Sequence, residues 1–360
     1  NVFVTDSTTL SIEPGTVILG DHESKASLII SNGSKIIAEG TQTDPIVFSS
    51  NRDVKKNGDW GGIFILGNSP TNRLEERSKL DYGLNPSSSE MILYGGTDKE
   101  SNSGILKYVR IEYAGKRTKN YGYFNGLTLA GVGSETILEN IMVSYCQGDS
   151  FSILGGNTIL SQLVSFRSKR SDFKFNYGAQ SFMTNSLAIK SPYYSSSDGA
   201  SSIYLASYNN KEEVDLTKKG TNLEAENLTL MVLSDNLDAD TNVGLVHEAM
   251  YVKEGASFSM NKSIFSGFNP AVVLDNKIVI NNENLNKMGF SKMYFNNCQG
   301  NIFTENISNN EDLENWYGNN AFANVYSRGL NSVTFIDVKK LDQPDFRLRI
   351  NNIIAISFTE

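Results

Sequence analysis

The sequence predicts an all-β protein wound as a single-stranded right-handed parallel β-helix, a solenoid with terminal caps and loop excursions. Three observations carry that expectation. Strand-like runs of alternating apolar and polar residues, each ending at Asn, Gly or Ser, fill most of the 360 residues. The composition is rich in Asn, Ser, Gly, Tyr and Phe and holds only 7 prolines, which suits short strands and turns. The runs also resemble one another at a period of roughly 20 to 25 residues, the mark of stacked coils that cannot bury an apolar face alone. Strands of an antiparallel sandwich would be joined by tight hairpins and would resemble each other only by accident. Leucine-rich repeats share the period but need a Leu and Asn framework that no segment carries.

Taken in order, Asn1-Val2-Phe3-Val4 opens as a strand, and residues 1–26 read as an N-terminal strand cap. Coils follow over residues 27–304, about ten of them at this period, through runs such as "SLIISNGSKIIAEG" (27–40), "GILKYVRIEYAG" (104–115), "ENLTLMVLSD" (226–235) and "KMYFNNCQGNIF" (292–303). The register comes from "VSYCQGDSFSILGG" (143–156) and "VSFRSKRSDFKFNYG" (164–178). Val143, Tyr145, Phe151 and Ile153 are expected one layer from Val164, Phe166, Phe173 and Phe175, as inward ladders of like on like at a spacing of about 4.8 Å. Asn is expected at the bends, where it tolerates left-handed backbone. Polar, Ser-rich stretches near 71–93 and 192–222 break the period and read as loop excursions. Residues 305–360 read as a C-terminal cap: a short helix within 308–317, with Ser308 or Asn310 as N-cap, then strand-like residues from 333 onward covering the last open coil.

A net charge of −8 and a pI of about 5.1 argue against a partner held by nucleic-acid phosphate and supply no basic membrane patch. No run approaches the roughly 18 apolar residues of a transmembrane segment. Because the first residues already form a strand, the numbering is expected to start after a removed leader or trimmed segment, which leaves room for a lipid anchor upstream. His22, His247, Cys146 and Cys298 lie too far apart for zinc-site spacing. The two cysteines share the tripeptide Cys-Gln-Gly, so they are expected at one corner of two coils about seven layers and roughly 30 Å apart, too far for a disulfide.

Aromatic residues near loops suggest sugar binding, since exposed rings stack on sugar faces while Asn or Asp takes the hydroxyls. Trp60, Asp59, Tyr94, Asp98, Tyr121 and Tyr123 are the ligand-binding candidates, with Tyr82, Tyr193 and Tyr194 in similar settings. Each ring singly could instead pack against the coil. Asp149, Arg170, Asp172 and Lys174 sit in adjacent coils and are the catalytic candidates for an elimination in which Arg or Lys takes the proton α to a carboxylate; the alternative is a solvated face of weakly paired charges. "DADTNVGLVHE" (238–248) places Asp238, Asp240 and Asn242 at alternate positions, an oxygen spacing that suits calcium, but Gly244 comes one residue late for an EF-type loop. The expectation is no cofactor, with calcium as the weak alternative.

The segments "SIEPGTVILGD" (11–21), "GDWGGIFILGNSP" (58–70), "YGGTDKESNSGILKYVRIEYAG" (94–115), "NGLTLAGVGSET" (125–136), "GDSFSILGG" (148–156) and "PDFRLR" (344–349) resemble a family of secreted or lipid-anchored right-handed parallel β-helix proteins of Bacteroidetes surfaces, of pectin-lyase-like fold. The resemblance implies the fold and a location that is extracellular, periplasmic or on the outer-membrane surface; it implies no established activity. Where that family tends to stack several acids, this chain sets Gly148-Asp149-Ser150-Phe151 over Lys169-Arg170-Ser171-Asp172-Phe173-Lys174, which counts against an acid-built metal site. The functional expectation is a non-catalytic surface-exposed or periplasmic scaffold, glycan-binding or adhesive, with a glycan or cell-surface component as partner. The alternative is a polysaccharide lyase or glycoside hydrolase acting on an acidic glycan.

Overall fold

Most coils bend at a residue in left-handed conformation. In the computed structural model, Tyr108, Asn140, Gln162, Asn185, Asn227, Lys262 and Lys292, all with φ between 48° and 59°, occupy the same bend of seven successive coils. Asn140 donates to Gln162 at 2.9 Å and Asn227 to Asn185 at 2.5 Å, so amide side chains do ladder at this corner as expected. Tyr, Gln and Lys fill it elsewhere, because one left-handed residue is a modest strain that stacking on both sides over-determines. The structure describes all residues except 6, 81–82, 195–200, 306–310, 339, 341–343 and 350–360.

The strands between bends form three parallel sheets along the solenoid. The first has ten strands, one per coil, from Val2–Val4 through Phe151–Leu154 and Phe173–Asn176 to Ile302–Thr304. The second and third run on either side of the left-handed bend and are joined there. Phe151 pairs with Phe173 and Ile153 with Phe175; all four are fully buried, and the two Phe rings of the first pair stack at 5.3 Å. The interior ladder continues through Ile203, Met250, Val272 and Ile302. Burial of each such side chain contributes about 1.5–3 kcal/mol, which is what holds the coils in stack.

Several details depart from the sequence expectation. In the third sheet Met142, not Val143, pairs with Val164, and Ser144, not Tyr145, pairs with Phe166. The coil advances 22 residues here as it does in the first sheet, so the matching Val-Ser dipeptides at a spacing of 21 are coincidental. A one-residue slip reverses the faces: Val143 and Ser165 point inward while Val164 and Phe166 are partly exposed. Residues 1–26 hold strands Val2–Val4, Thr9–Ile12 and Val17–Gly20, a first coil of the helix itself and not a separate cap. The stretch 192–222 is not one excursion, since Ile203–Leu205 within it is a strand of the first sheet, too short for alternation to reveal.

The C-terminal part also divides. Helix Glu311–Tyr317 covers the last coil, with Leu313 buried and Trp316 against Phe290; its expected N-cap at Ser308 or Asn310 lies outside the described residues. The described residues after 333 do not cap that coil. The pair Phe335–Asp337 and Asp345–Leu348 folds along the outside of the third sheet, burying Phe335 against Ile189, Met231, Ile264 and Tyr294. Those strands are apolar on both faces, the pattern of a sheet covered on both sides. The cysteines are free, with Cys146 buried and its thiol pushed up by burial, and Cys298 likewise pushed up to about 11. Five register steps separate their corners, so they lie roughly 24 Å apart at about 4.8 Å per coil, closer than seven layers but still beyond bridging.

Candidate active site

On the outer face of the first sheet, the early coils are covered by the excursion near 71–93. Its Leu80, Leu84 and Ile92, with Tyr94, bury themselves on Phe64, Leu66 and Ala130. This cover stops at the coils of Phe151 and Phe173, and a cavity of about 470 Å³ opens there. Three pieces of chain wall it. A strap, residues 69–74, brings Arg73; a small antiparallel hairpin, Arg117–Thr118 with Gly122–Tyr123, brings Tyr121 and Tyr123; and the loop after Ile203–Leu205 brings Asn209 and Glu213.

The strap lies across the coils because glycine lets it. A Cβ on Gly155 would stand 2.5 Å from Thr71, and one on Gly178 would stand 2.9 Å from Asn72; both glycines have positive φ. Asn72 bonds to Tyr177 O at 3.1 Å and to Ser207 O at 2.9 Å, and Arg73 bridges to Val214, so the two loop regions lock together over the corner. Arg73 is thereby held 4.7 Å above the Tyr177 ring and 3.5 Å from Glu213. The Tyr177 hydroxyl donates to Glu213 at 2.8 Å and accepts from Asn209 at 2.7 Å. Burial first, and then the Glu213 carboxylate, push the Tyr177 phenol well above its ordinary value. Tyr94 is pushed up to about 12, chiefly by burial, so both phenols stay protonated at neutral pH as hydrogen-bond donors.

The floor belongs to the coils. Asp149 is 5% exposed and sits between two cations, 3.9 Å from Arg170 and 3.7 Å from Lys174. It also accepts the Ser171 N–H at 3.0 Å, tying the turn before Phe173 to the turn before Phe151. Arg170 lies 5.9 Å from the Tyr123 ring and Lys174 lies 5.5 Å from the Tyr204 ring. The cavity thus carries four cations, Arg73, Lys79, Arg170 and Lys174, against the carboxylates Asp149 and Glu213.

Asp172 does not reach this cavity. It points into the solenoid and is fully buried, where it accepts hydrogen bonds from Ser165 and from Ser202 at 2.7 Å and pairs with Lys190 at 3.7 Å. Lys190 in turn donates to the Arg170 carbonyl. Burial raises the Asp172 carboxyl and lowers the Lys190 ammonium, and each charge partly offsets the effect on the other. Asp172 therefore cannot touch a ligand; it holds from beneath the turn that presents Arg170.

Of the other sequence candidates, Tyr94, Tyr121 and Tyr123 join Asp149, Arg170 and Lys174 around the one cavity. Trp60 does not: it is buried, stacks near Phe48 at 6.4 Å and donates its indole N–H to Glu112 O at 2.7 Å. Asp59 is tied up by Arg52 at 3.0 Å and Ser50 at 2.8 Å, and Asp98 turns its own loop by accepting the Glu100 N–H. Asp238, Asp240 and Asn242 are in helix Leu237–Asn242 instead of a loop, because Asn236 caps it, and the Asp240 carboxylate is taken by Tyr193 at 3.2 Å and Ser234 at 2.5 Å. Among the described residues no three His, Cys, Asp or Glu side chains converge as a metal site. Tyr82 and the side chain of Tyr194 lie outside the described residues. Sequence reasoning missed Arg73, Lys79, Tyr177, Asn209 and Glu213, since four of the five come from loops and only tertiary packing brings them here.

A model of the pectate-lyase-like β-helix domain matches residues 1–330. The chain belongs to the pectate-lyase-like β-helix family. No curated protein matches it. Among solved structures, an alginate lyase from Paenibacillus sp. str. FPU-7 is similar at 9% identity and a TM-score of 0.31, covering 90% of this chain and 99% of that one. The pectate-lyase-like fold invites the question of calcium, which needs several free carboxylates around one point. In the cavity both acids are already matched to cations, so the residues present do not fit that ion.

Proposed function

We propose that this protein recognises an acidic polysaccharide, a chain of carboxylated sugars, in the cavity on its first sheet. The observation that carries the reading is the excess of cations in a concave, tyrosine-lined cavity on a chain of net charge −8. Arg170 and Lys174 supply fixed positive charge for sugar carboxylates, with Arg able to engage one bidentately. Tyr121 and Tyr123 offer ring faces to the sugars, and Asn209 keeps a second amide N–H for a sugar hydroxyl.

Membership of a pectate-lyase-like family favours a second reading, in which the bound chain is cleaved by β-elimination. Arg170 would hold the uronate carboxylate, Lys174 in its neutral amine form would take the proton from the carbon beside it, and, as the carbon–carbon double bond forms and the bond to the glycosidic oxygen breaks, a protonated tyrosine of the cavity would hand that oxygen a proton.

Calorimetry with short oligogalacturonates and with neutral xylo-oligosaccharides of equal length tests the first reading. Binding confined to the acidic sugars, and weakened at least about tenfold in the Arg170→Gln/Lys174→Gln double variant, is the expected result. Equal binding of both sugars, or an unaffected double variant, overturns it. The ultraviolet absorbance of an unsaturated uronide product, followed over hours with polyuronate, decides whether elimination occurs.

A further inference from the structure

The cavity ends at a ridge one residue wide. On the strap, Arg73 faces the first cavity and Leu74 faces a second; on the coil beneath, Tyr177 lines the first and Gly178 the second. This second cavity, of about 800 Å³, lies around the corner toward the second sheet. It carries Lys99, Lys218 and Lys219 against a single acid, Glu76. Lys218 crosses the ridge, its ammonium donating to the Arg73 carbonyl at 2.6 Å. Two adjoining cavities therefore each hold two more cations than carboxylates, while the chain as a whole is acidic. Positive charge has been gathered along one continuous path over the strap. Such segregation raises the local concentration of a polyanion and matches the repeating charge of an acidic polymer better than that of a single sugar.

We propose that the second cavity is a further binding subsite for the same acidic polysaccharide, so that the ligand is a chain long enough to cross the strap at Arg73 and Leu74, with Lys99 and Lys219 pairing to its distal carboxylates. This rests on the reading of the first cavity given above. Two modest subsites joined by one chain bind far more tightly than either does alone, because engagement of the second is intramolecular.

The test compares a three-unit with a twelve-unit oligogalacturonate on the wild type, on Lys99→Glu/Lys219→Glu and on Arg170→Gln/Lys174→Gln, each first checked for an unchanged melting temperature. Both lysine side chains are exposed, and the backbone bond here, Ser134 N–H to Lys99 O at 3.0 Å, is kept in the variant. The wild type is expected to bind the long chain about a hundredfold more tightly than the short one. Lys99→Glu/Lys219→Glu should lose that gain and bind the short chain as the wild type does. Equal affinity of the wild type for both lengths, or a loss in Lys99→Glu/Lys219→Glu that is the same for both, overturns the second subsite while leaving the first cavity standing. A short chain that does not bind the wild type, or that ignores Arg170→Gln/Lys174→Gln, overturns the first cavity and the second with it.

Discussion

The coils around Phe151, Phe173 and Ile203 bury two kinds of ladder side by side. Along the first sheet the interior is purely apolar, Phe on Phe on Ile, and the register is fixed by how much surface leaves water. At the adjoining corner the interior is polar: Ser165 reaches both Ser150 and Asp172, Ser202 reaches Asp172, and Lys190 closes the set against Asp172 and the Arg170 carbonyl. A buried charge is costly unless matched, so this corner holds only while every member is present. The apolar ladder supports the helix, whereas the polar corner sets where Asp149 and Arg170 point.

The comparison breaks most readily at its charged end. Lys190→Met leaves Asp172 buried without its cation and is expected to cost about 3–5 kcal/mol, while adding Asp172→Leu should restore most of that, because an ion pair replaced whole by apolar side chains is often near neutral. Urea unfolding measures both; a Lys190→Met protein as stable as wild type removes the polar corner from the account. Phe173→Ala should cost a similar amount, about 3–5 kcal/mol, through lost burial and the cavity left behind, but no second substitution at a partner should rescue it. A variant melting within a degree of wild type would show the ladder register to be wrong.

A smaller effect separates the cavity wall from the interior by pH. Tyr94 titrates at about 12 in the folded chain against an ordinary 10.0, so its contribution is complete below pH 10 and is lost as pH rises toward 12. A shift of that size corresponds to about 2–3 kcal/mol. Tyr94→Phe should therefore lose less stability than wild type between pH 10 and pH 12, and parallel alkaline unfolding curves would contradict the buried phenol. The smallest effect is expected on the open side of the second sheet. Ile159 there is 51% exposed, and Ile159→Ser should change stability by under about 0.5 kcal/mol. A loss above about 2 kcal/mol would mean that this face is covered.

The period of the sequence was enough to determine the parallel solenoid, the stacking of Phe151 on Phe173 and the gathering of Asp149, Arg170 and Lys174 in neighbouring coils, because in a β-helix residues one coil apart are neighbours in space. That local rule carries no information on where excursions go. Arg73 and Glu213 meet Tyr177 only because glycines at 155 and 178 let the strap lie on the coil. Asp172 shows the same limit in reverse: it is one of several charges in "RSKRSDFK", indistinguishable by composition from Arg170 and Lys174, yet it is fully buried beside the equally buried Phe173, because it lies in the turn before the strand Phe173–Asn176, where the pleat's alternation does not hold and Ser165, Ser202 and Lys190 receive its carboxylate. Sequence determined which residues share a layer. Tertiary structure decided which of them see the ligand, since that depends on side-chain direction and on loops whose contacts are far apart in the chain.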